Sequence, residues 1–339
     1  GARRRQGRGR PGFDVKYRVF GRSGLKVSEL CLGAMTFGED WGFGASKEDS
    51  RKQFDLFAEA GGNFIDTANL YTKGTSERFV GEFVKSDRDR FVVATKFTAA
   101  TRFDDINAWG SSRKNLMQSL DASLARLDLD RIDLYWVHVA DPLTPPDELM
   151  RGLDDAVRAG KVLYVGVSDT PAWQVSRANT LAELRGWSRF VGLQIEYSLI
   201  ERTPERDLLP MAEALGLAVT PWGAIGGGVL SGKYAQGTPE DSKRVAGNRH
   251  RVNERNLQVA TEVSEVARAL GVTSTQVALS WVRDATAQGT IPIVGARTVD
   301  QLADSLGSVD LILPAELRAR LDAASKVDLG FPHEFLRRP

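Results

Sequence analysis

Cysteine is almost missing. Cys31 is the one thiol in 339 residues, which excludes an internal disulfide and fits a reducing compartment. Histidine is nearly as scarce, with only His138, His250 and His333. No His/Cys/carboxylate group stands at metal-ligand spacing, so no metal is expected. No apolar run approaches the roughly 20 residues that span a bilayer, and there is no secretory h-region. The expectation is a cytoplasmic protein without a membrane partner. An excess of one charge is also lacking, since 45 Lys and Arg face 44 Asp and Glu for a net +1. Five of those arginines (Arg3, Arg4, Arg5, Arg8, Arg10) lie in the first ten residues, leaving 40 basic against 44 acidic side chains, or −4, for the rest. A mildly acidic body does not predict a nucleic-acid partner, and the basic stretch 1–15 is expected to be a solvated, disordered tail. A usable dinucleotide fingerprint is absent as well. GRGRPG, Gly7 to Gly12, has the G-x-G-x-x-G spacing, but arginines and Pro11 surround it and no strand precedes it, so no helix N-terminus follows a strand to receive a pyrophosphate.

What is present is alternation. After a hairpin turning at Gly21–Gly24, short apolar runs recur between helical patterns. They lie near Glu29–Leu32 and at Asn63–Asp66, Phe91–Thr95, Asp133–Val137, Leu163–Val167, Val191–Ile195, Ala218–Pro221 and Ile291–Val294. Between them, Leu116, Leu120, Leu124 and Leu127 keep helical spacing. Leu257–Leu270 carries Val259, Val263 and Val266 on one face, with Gly271 suited to end the helix. Thr273 or Ser274 can cap a further helix bearing Val277 and Trp281. Strands alternating with helices predict a parallel sheet, and eight such units suit a closed (β/α)₈ barrel as a single domain over 16–339. An open doubly wound sheet is the alternative, but LGAMTFG follows the first strand where that fold would carry its glycine fingerprint. Tyr234–Arg255 and Thr98–Ser112 read as insertion loops over one face.

Chemistry in such a barrel gathers at the C-terminal ends of the strands. There the sequence places Asp66, then Tyr71 in the following loop, Lys96 and His138. Singly they could be a helix cap, a loop aromatic, a snorkelling lysine and a core histidine. Jointly they converge on one cavity, because neighbouring strands lie about 5 Å apart. A phenol with a reference pKa of about 10 is a poor acid at neutral pH. A nearby ammonium is expected to lower that pKa, with a carboxylate holding the ammonium in place. Asp66, Lys96 and Tyr71 would then form a relay to a proton donor, and His138 would orient a substrate oxygen. The matching reaction is hydride delivery to a carbonyl carbon while Tyr71 protonates the alkoxide.

From Tyr17 to about Asp322 the chain resembles the aldo-keto reductases, in the branch of aryl-alcohol dehydrogenases and potassium-channel β-subunits. The likeness rests on YRVFGRSGLKVSELCLGAMTFG, FIDTANLYTKGTSE, ATKF, SLDASLARLDLDRIDLYWVHVAD, GKVLYVGVSD, LQIEYSLIER, TPWGAIGGGVLSGKY and IPIVGARTVDQLADSL. The resemblance implies a tetrad of Asp66, Tyr71, Lys96 and His138 and an extended NADPH/NADP+ site without a Rossmann domain. It assigns Ser168, Asp169 and Gln194 to the nicotinamide carboxamide and Trp222 to the ring, with Met35, Thr36 and Asp66 nearby. The family more often has asparagine at the position of Asp169. Gly223, Ala224, Ile225, Gly226, Gly227 and Lys233 would meet the pyrophosphate. Gly295, Arg297, Gln301, Asp304 and Ser305 would meet the adenosine end, with Arg297, the only permanent cation between Ile291 and Leu313, favouring NADPH. Phe37, Trp41, Trp109 and Val139 are candidate walls for a carbonyl substrate such as an aryl aldehyde, a keto-sugar or a natural-product ketone. The alternative implied by the same likeness is a cofactor-binding regulatory subunit. Monomer and homo-oligomer both stay open.

Overall fold

The computed structural model describes residues 13–233 and 249–336. The GRGRPG segment and 234–248 of the expected insertion loop lie outside these described residues. Val15, assigned above to the tail, is buried and donates its backbone N–H to Ala60 O at 3.1 Å.

Strands β1 (Tyr17–Val19) and β2 (Lys26–Ser28) form the antiparallel hairpin. Eight parallel strands follow: β3 (Cys31–Gly33), β4 (Phe64–Asp66), β5 (Val92–Phe97), β6 (Ile132–Val137), β7 (Val162–Ser168), β8 (Phe190–Glu196), β9 (Ala218–Trp222) and β10 (Ile293–Val294). They are hydrogen-bonded in the order β10-β3-β4-β5-β6-β7-β8-β9. The Ile291 N–H donates to Val219 O at 2.8 Å just before β10, drawing the two ends of the sheet together into a nearly closed barrel. The helices lie outside. α1 (Lys47–Glu59) follows β3, α2 (Thr75–Val84) follows β4, α3 (Arg113–Leu127) follows β5, α4 (Pro146–Arg158) follows β6 and α5 (Ala172–Arg185) follows β7. α6 (Leu208–Leu215) comes after β8, α7 (Glu254–Leu270) and α8 (Ser274–Arg283) after β9, and α9 (Val299–Leu306), α10 (Ala315–Ala324) and α11 (His333–Leu336) after β10.

Caps decide where several helices begin. Ser112, Asn253, Thr273 and Thr298 each accept a backbone N–H three residues on, satisfying donors that helix geometry leaves free. α7 therefore starts at Glu254, three residues before the apolar spacing becomes visible at Leu257. Strand limits also differ from the reading above by a residue or two. β5 runs on to Phe97, β7 to Ser168 and β8 to Glu196, so Lys96 and Ser168 sit within strands, as Gln194 was expected to, while β6 stops at Val137 as read and leaves His138 just beyond it.

Two-residue periodicity sorts the strand side chains. Alternate positions such as Ile65, Val93, Tyr135, Val137, Val165 and Val167 join the large core between barrel and helices. The others point inward. Phe64, Val92, Ala94, Leu134 and Trp136 pack with Phe20 and Val27 of the hairpin region, Cys31 and Ile291. Phe20 meets Phe64 and Trp136 edge-on at 5.6 and 6.3 Å. Room for these rings is made by Gly192, where a Cβ would stand 2.6 Å from Phe20 Cζ. The hairpin thus plugs the N-terminal end and leaves the C-terminal end to polar residues.

Candidate active site

Following the inward files toward their C-terminal ends, Phe64 gives way to Asp66, Ala94 to Lys96 and Trp136 to His138. Register staggers them by two residues from strand to strand, with Asp66 opposite Ala94 and Lys96 opposite Trp136. Tyr71 arrives from a 3₁₀ turn over Tyr71–Gly74 rather than an open loop. That turn is pinned by the Thr72 hydroxyl, which donates to Phe37 O at 2.7 Å and accepts from Ser76 N at 3.0 Å.

Lys96 is wholly buried and its Nζ has three partners. It donates to Asp66 Oδ2, to Thr67 O at 2.8 Å and to Tyr71 OH at 3.0 Å. Asp66 Oδ1 accepts from Gln194 Nε2 at 3.1 Å. The His138 ring stands edge-on to Tyr71 with centroids 5.9 Å apart. Trp41 approaches the other side of Tyr71 edge-on at 6.2 Å.

Burial works against charge throughout this cluster. At Lys96 it is outweighed by Asp66 and by the Tyr71 oxygen, and the pKa is raised. The ammonium keeps its proton because a carboxylate, a carbonyl and a phenol oxygen all accept from it. At Asp66 burial prevails and moves the carboxyl up, although Lys96 and Gln194 pull it down. Tyr71 departs from the expectation above. Burial raises its pKa, with Asp66 and Asp169 adding to the rise, and the opposing effect of Lys96 does not prevail. In this setting the phenol stays protonated at neutral pH. His138 is pushed down to about 3 by burial and by Lys96, so its imidazole is neutral, and its Nδ1 is buried without a partner among the described residues.

Beside the tetrad lies a second group. Ser168 pairs in register with Gln194, and its buried Oγ has no partner among the described residues. Asp169 adopts a positive φ of 41°, a conformation for which Asp is among the more tolerant non-glycine residues. Its Oδ1 accepts from Trp222 Nε1 at 3.1 Å and so fixes the indole. Burial raises Asp169 to about 6, with Glu196 adding to the rise and the Trp222 hydrogen bond opposing it. Past Trp222, the 3₁₀ segment Gly226–Ser231 is turned by Gly226, Gly227 and Gly228 at φ of 58°, 64° and 98°. A Cβ on Gly228 would stand 2.9 Å from Lys233 Nζ, so the glycines present bare backbone beside a cation, a form suited to phosphate oxygens.

The remaining candidates divide. Thr36 ties the β3 loop to the β10 loop by donating to Ala296 O at 2.7 Å, next to an exposed Met35. Gly295 and Arg297 follow β10, and Gln301 Oε1 accepts the Arg297 backbone N–H at 3.0 Å. Asp304 is turned away to α8, accepting from Thr273 Oγ1 at 2.7 Å and Gln276 Nε2 at 3.0 Å. The buried Ser305 hydroxyl donates to Gln301 O within its own helix at 3.0 Å. Trp109 and Val139 are exposed in the loops after β5 and β6. Phe37, by contrast, is no wall for a ligand. It is completely buried and packs edge-on against Phe83 at 6.1 Å. Sequence reasoning missed the Thr67 carbonyl, a backbone group without a residue signature. It also missed the two side-chain pairings, Gln194 with Asp66 and Trp222 with Asp169, which join residues 128 and 53 positions apart.

The chain matches the Aldo/keto reductase family over residues 29–326. It is 39% identical over 324 residues to a norsolorinic acid reductase of Emericella nidulans, covering 93% of this chain and 82% of that one. It is 40% identical over 325 residues to norsolorinic acid reductase B of Aspergillus parasiticus, covering 92% and 84%. With the aryl-alcohol dehydrogenase [NADP(+)] of Phanerodontia chrysosporium it shares 37% over 334 residues, covering 91% and 86%. The chain belongs to the aldo/keto reductase family and is an oxidoreductase.

Proposed function

We propose that this aldo/keto reductase uses NADPH to reduce an aldehyde or ketone to the alcohol, with Tyr71 as the proton donor. The observation that carries the reading is the buried Lys96 ammonium, shared among Asp66, the Thr67 carbonyl and the Tyr71 phenol. The residues fit the cofactor. Ser168 Oγ is a buried hydroxyl in need of a partner, the indole of Trp222 is held still by Asp169, and a glycine cradle with Lys233 follows. When bound, the nicotinamide supplies the hydride. The work of the chain is to place and protonate. His138, neutral, and Tyr71, protonated, both offer a hydrogen bond to one carbonyl oxygen. As negative charge grows on that oxygen, the phenol gives up its proton, and Lys96 stabilises the phenolate left behind. Preorganised donors of this kind act most strongly where charge develops. Asp66 keeps Lys96 in place and charged.

NADPH preference is read from Arg297, whose guanidinium can meet a ribose phosphate with two hydrogen bonds. The NADP(+) in the name of the Phanerodontia relative supports it. Trp41 beside Tyr71, with Trp109 and Val139 at the same end of the barrel, favours an aryl or otherwise hydrophobic carbonyl. The test is loss of NADPH absorbance over a panel of aryl aldehydes and ketones, in wild type and Tyr71→Phe. Turnover abolished by the substitution supports the reading. Equal turnover in both removes Tyr71 as the donor, and cofactor binding without turnover of any carbonyl favours the regulatory subunit.

A further inference from the structure

A cavity of about 140 Å³ lies outside the barrel wall, between α4 and α5 and beneath the segment that links His138 to α4. Val137 and Val167 line it from strand positions that face the helices, not the barrel interior, where Trp136 points. Leu149 closes it from α4, Ala178 from α5 and Phe190 from the start of β8, with none of the tetrad among its walls. The space is therefore separate from the mouth, although it shares the chain that carries His138 and Asp169. Ala140, another lining residue, donates its N–H to Asp169 O at 3.3 Å.

Ten of the sixteen lining residues are apolar, and the volume is close to that of an apolar cavity that accepts a benzene-sized ring. Among its polar lining residues, Thr170 has its hydroxyl committed to Ser168 O at 2.8 Å. Asp141 is engaged by Ser111 N at 2.7 Å, Thr144 Oγ1 at 2.6 Å and Leu143 N at 2.8 Å. Ser111 Oγ is different: the residue is 1% exposed and this hydroxyl has no partner among the described residues. A buried hydroxyl left unsatisfied is unfavourable, and a ligand that completes it gains accordingly. Asp141 and Arg177 bring one charge of each sign to the lining, so neither an anion nor a cation is favoured over a neutral ligand. We propose that this cavity is a second small-molecule site, for a neutral single-ring compound bearing one hydroxyl, of which phenol is the simplest.

The test uses 4-fluorophenol and fluorobenzene as probes of the intact protein, with binding followed by ¹⁹F NMR. Both should bind wild type saturably, the phenol about two- to tenfold more tightly, as one net hydrogen bond provides. Ser111→Ala should erase that preference while leaving fluorobenzene unchanged. Ala178→Leu should fill the space and remove saturable binding of both probes, with carbonyl turnover unaltered. Should the leucine variant fail to fold, Ala178→Met offers the same filling with a more adaptable side chain. No saturable binding to wild type overturns the proposal. So does binding that survives the filled cavity, which would place the probes in the mouth, or a preference that survives Ser111→Ala.

Discussion

The two ends of the barrel are built from the same strands and share almost no chemistry. At the N-terminal end the inward positions are Phe64, Val92, Leu134 and Trp136, sealed by Phe20 and Val27 without an ion pair in the cluster. At the C-terminal end the same files finish in Asp66, Lys96 and, one residue past β6, His138, with two buried polar atoms, His138 Nδ1 and Ser168 Oγ, left without partners among the described residues. The sealed end contributes stability through area removed from water. The open end gives some of that up for buried charges and polar groups. Stability and chemistry are thereby separated along the strands, and each can be altered alone.

The largest expected effect belongs to the mouth. Tyr71→Phe should lower kcat by about 10²–10⁴-fold, the usual contribution of positioned proton transfer, and leave the melting temperature nearly unchanged. Lys96→Met should match it. Asp66→Asn should lose less, since the amide still accepts from Lys96, and a kcat series over the three variants checks the order. Next comes the plug. Phe20→Ala should destabilise the protein by about 3–5 kcal/mol, as for large aromatic truncations in cores. Denaturant midpoints would show it, while kcat per folded molecule stays as in wild type. A loss of kcat there would mean that the two ends are coupled. Third, Arg297→Ala should reduce the NADPH-over-NADH ratio of kcat/KM by about 10–150-fold, equivalent to a charge-assisted pair of about 1.5–3 kcal/mol. An unchanged ratio would place the discriminating cation elsewhere.

The smallest effect is one of pH. Asp169 lies at about 6 in the fold against 3.8 for the free side chain. The native state thus holds this proton more tightly than the unfolded chain does, and Asp169 lowers stability as pH rises from about 4 to about 6. Asp169→Asn keeps an acceptor for Trp222 and removes the titration. Its melting temperature should exceed that of wild type above pH 6 and converge with it below pH 4. His138, depressed to about 3, acts oppositely in both proteins, with stability lost as pH falls from about 6.5 to about 3, so the difference between the two melting curves isolates Asp169.

Much of this arrangement was legible in the sequence. β-branched and apolar runs of four or five residues mark all eight barrel strands, and the rule that chemistry collects at strand C-termini points to Asp66, Lys96 and His138. What could not be read there is direction and partnership. Phe37 looks like a wall from its place after a strand, yet it is completely buried against Phe83. Asp304 is assigned by resemblance to the adenosine end, yet its carboxylate accepts from Thr273 and Gln276 at the start of α8. The sign of the Tyr71 shift depended on how far desolvation outweighs one ammonium, a balance set by packing from several strands at once.

The hairpin plug also bears on how the molecule assembles. Arg18, in β1, donates to Gln288 O and Thr290 O, both at 3.2 Å and 270 and 272 residues further along the chain. Contacts of such separation require a long loop to close before they return any stabilisation, which slows folding. The Arg18 contacts thus need the chain out to Thr290, whereas the same hairpin also meets nearer partners, Tyr17 OH donating to Gly61 O and Ser28 N to Asn63 Oδ1. A chain whose hairpin is not seated would leave Phe64 and Trp136 without their Phe20 cover, an apolar surface of the kind on which incompletely folded chains associate.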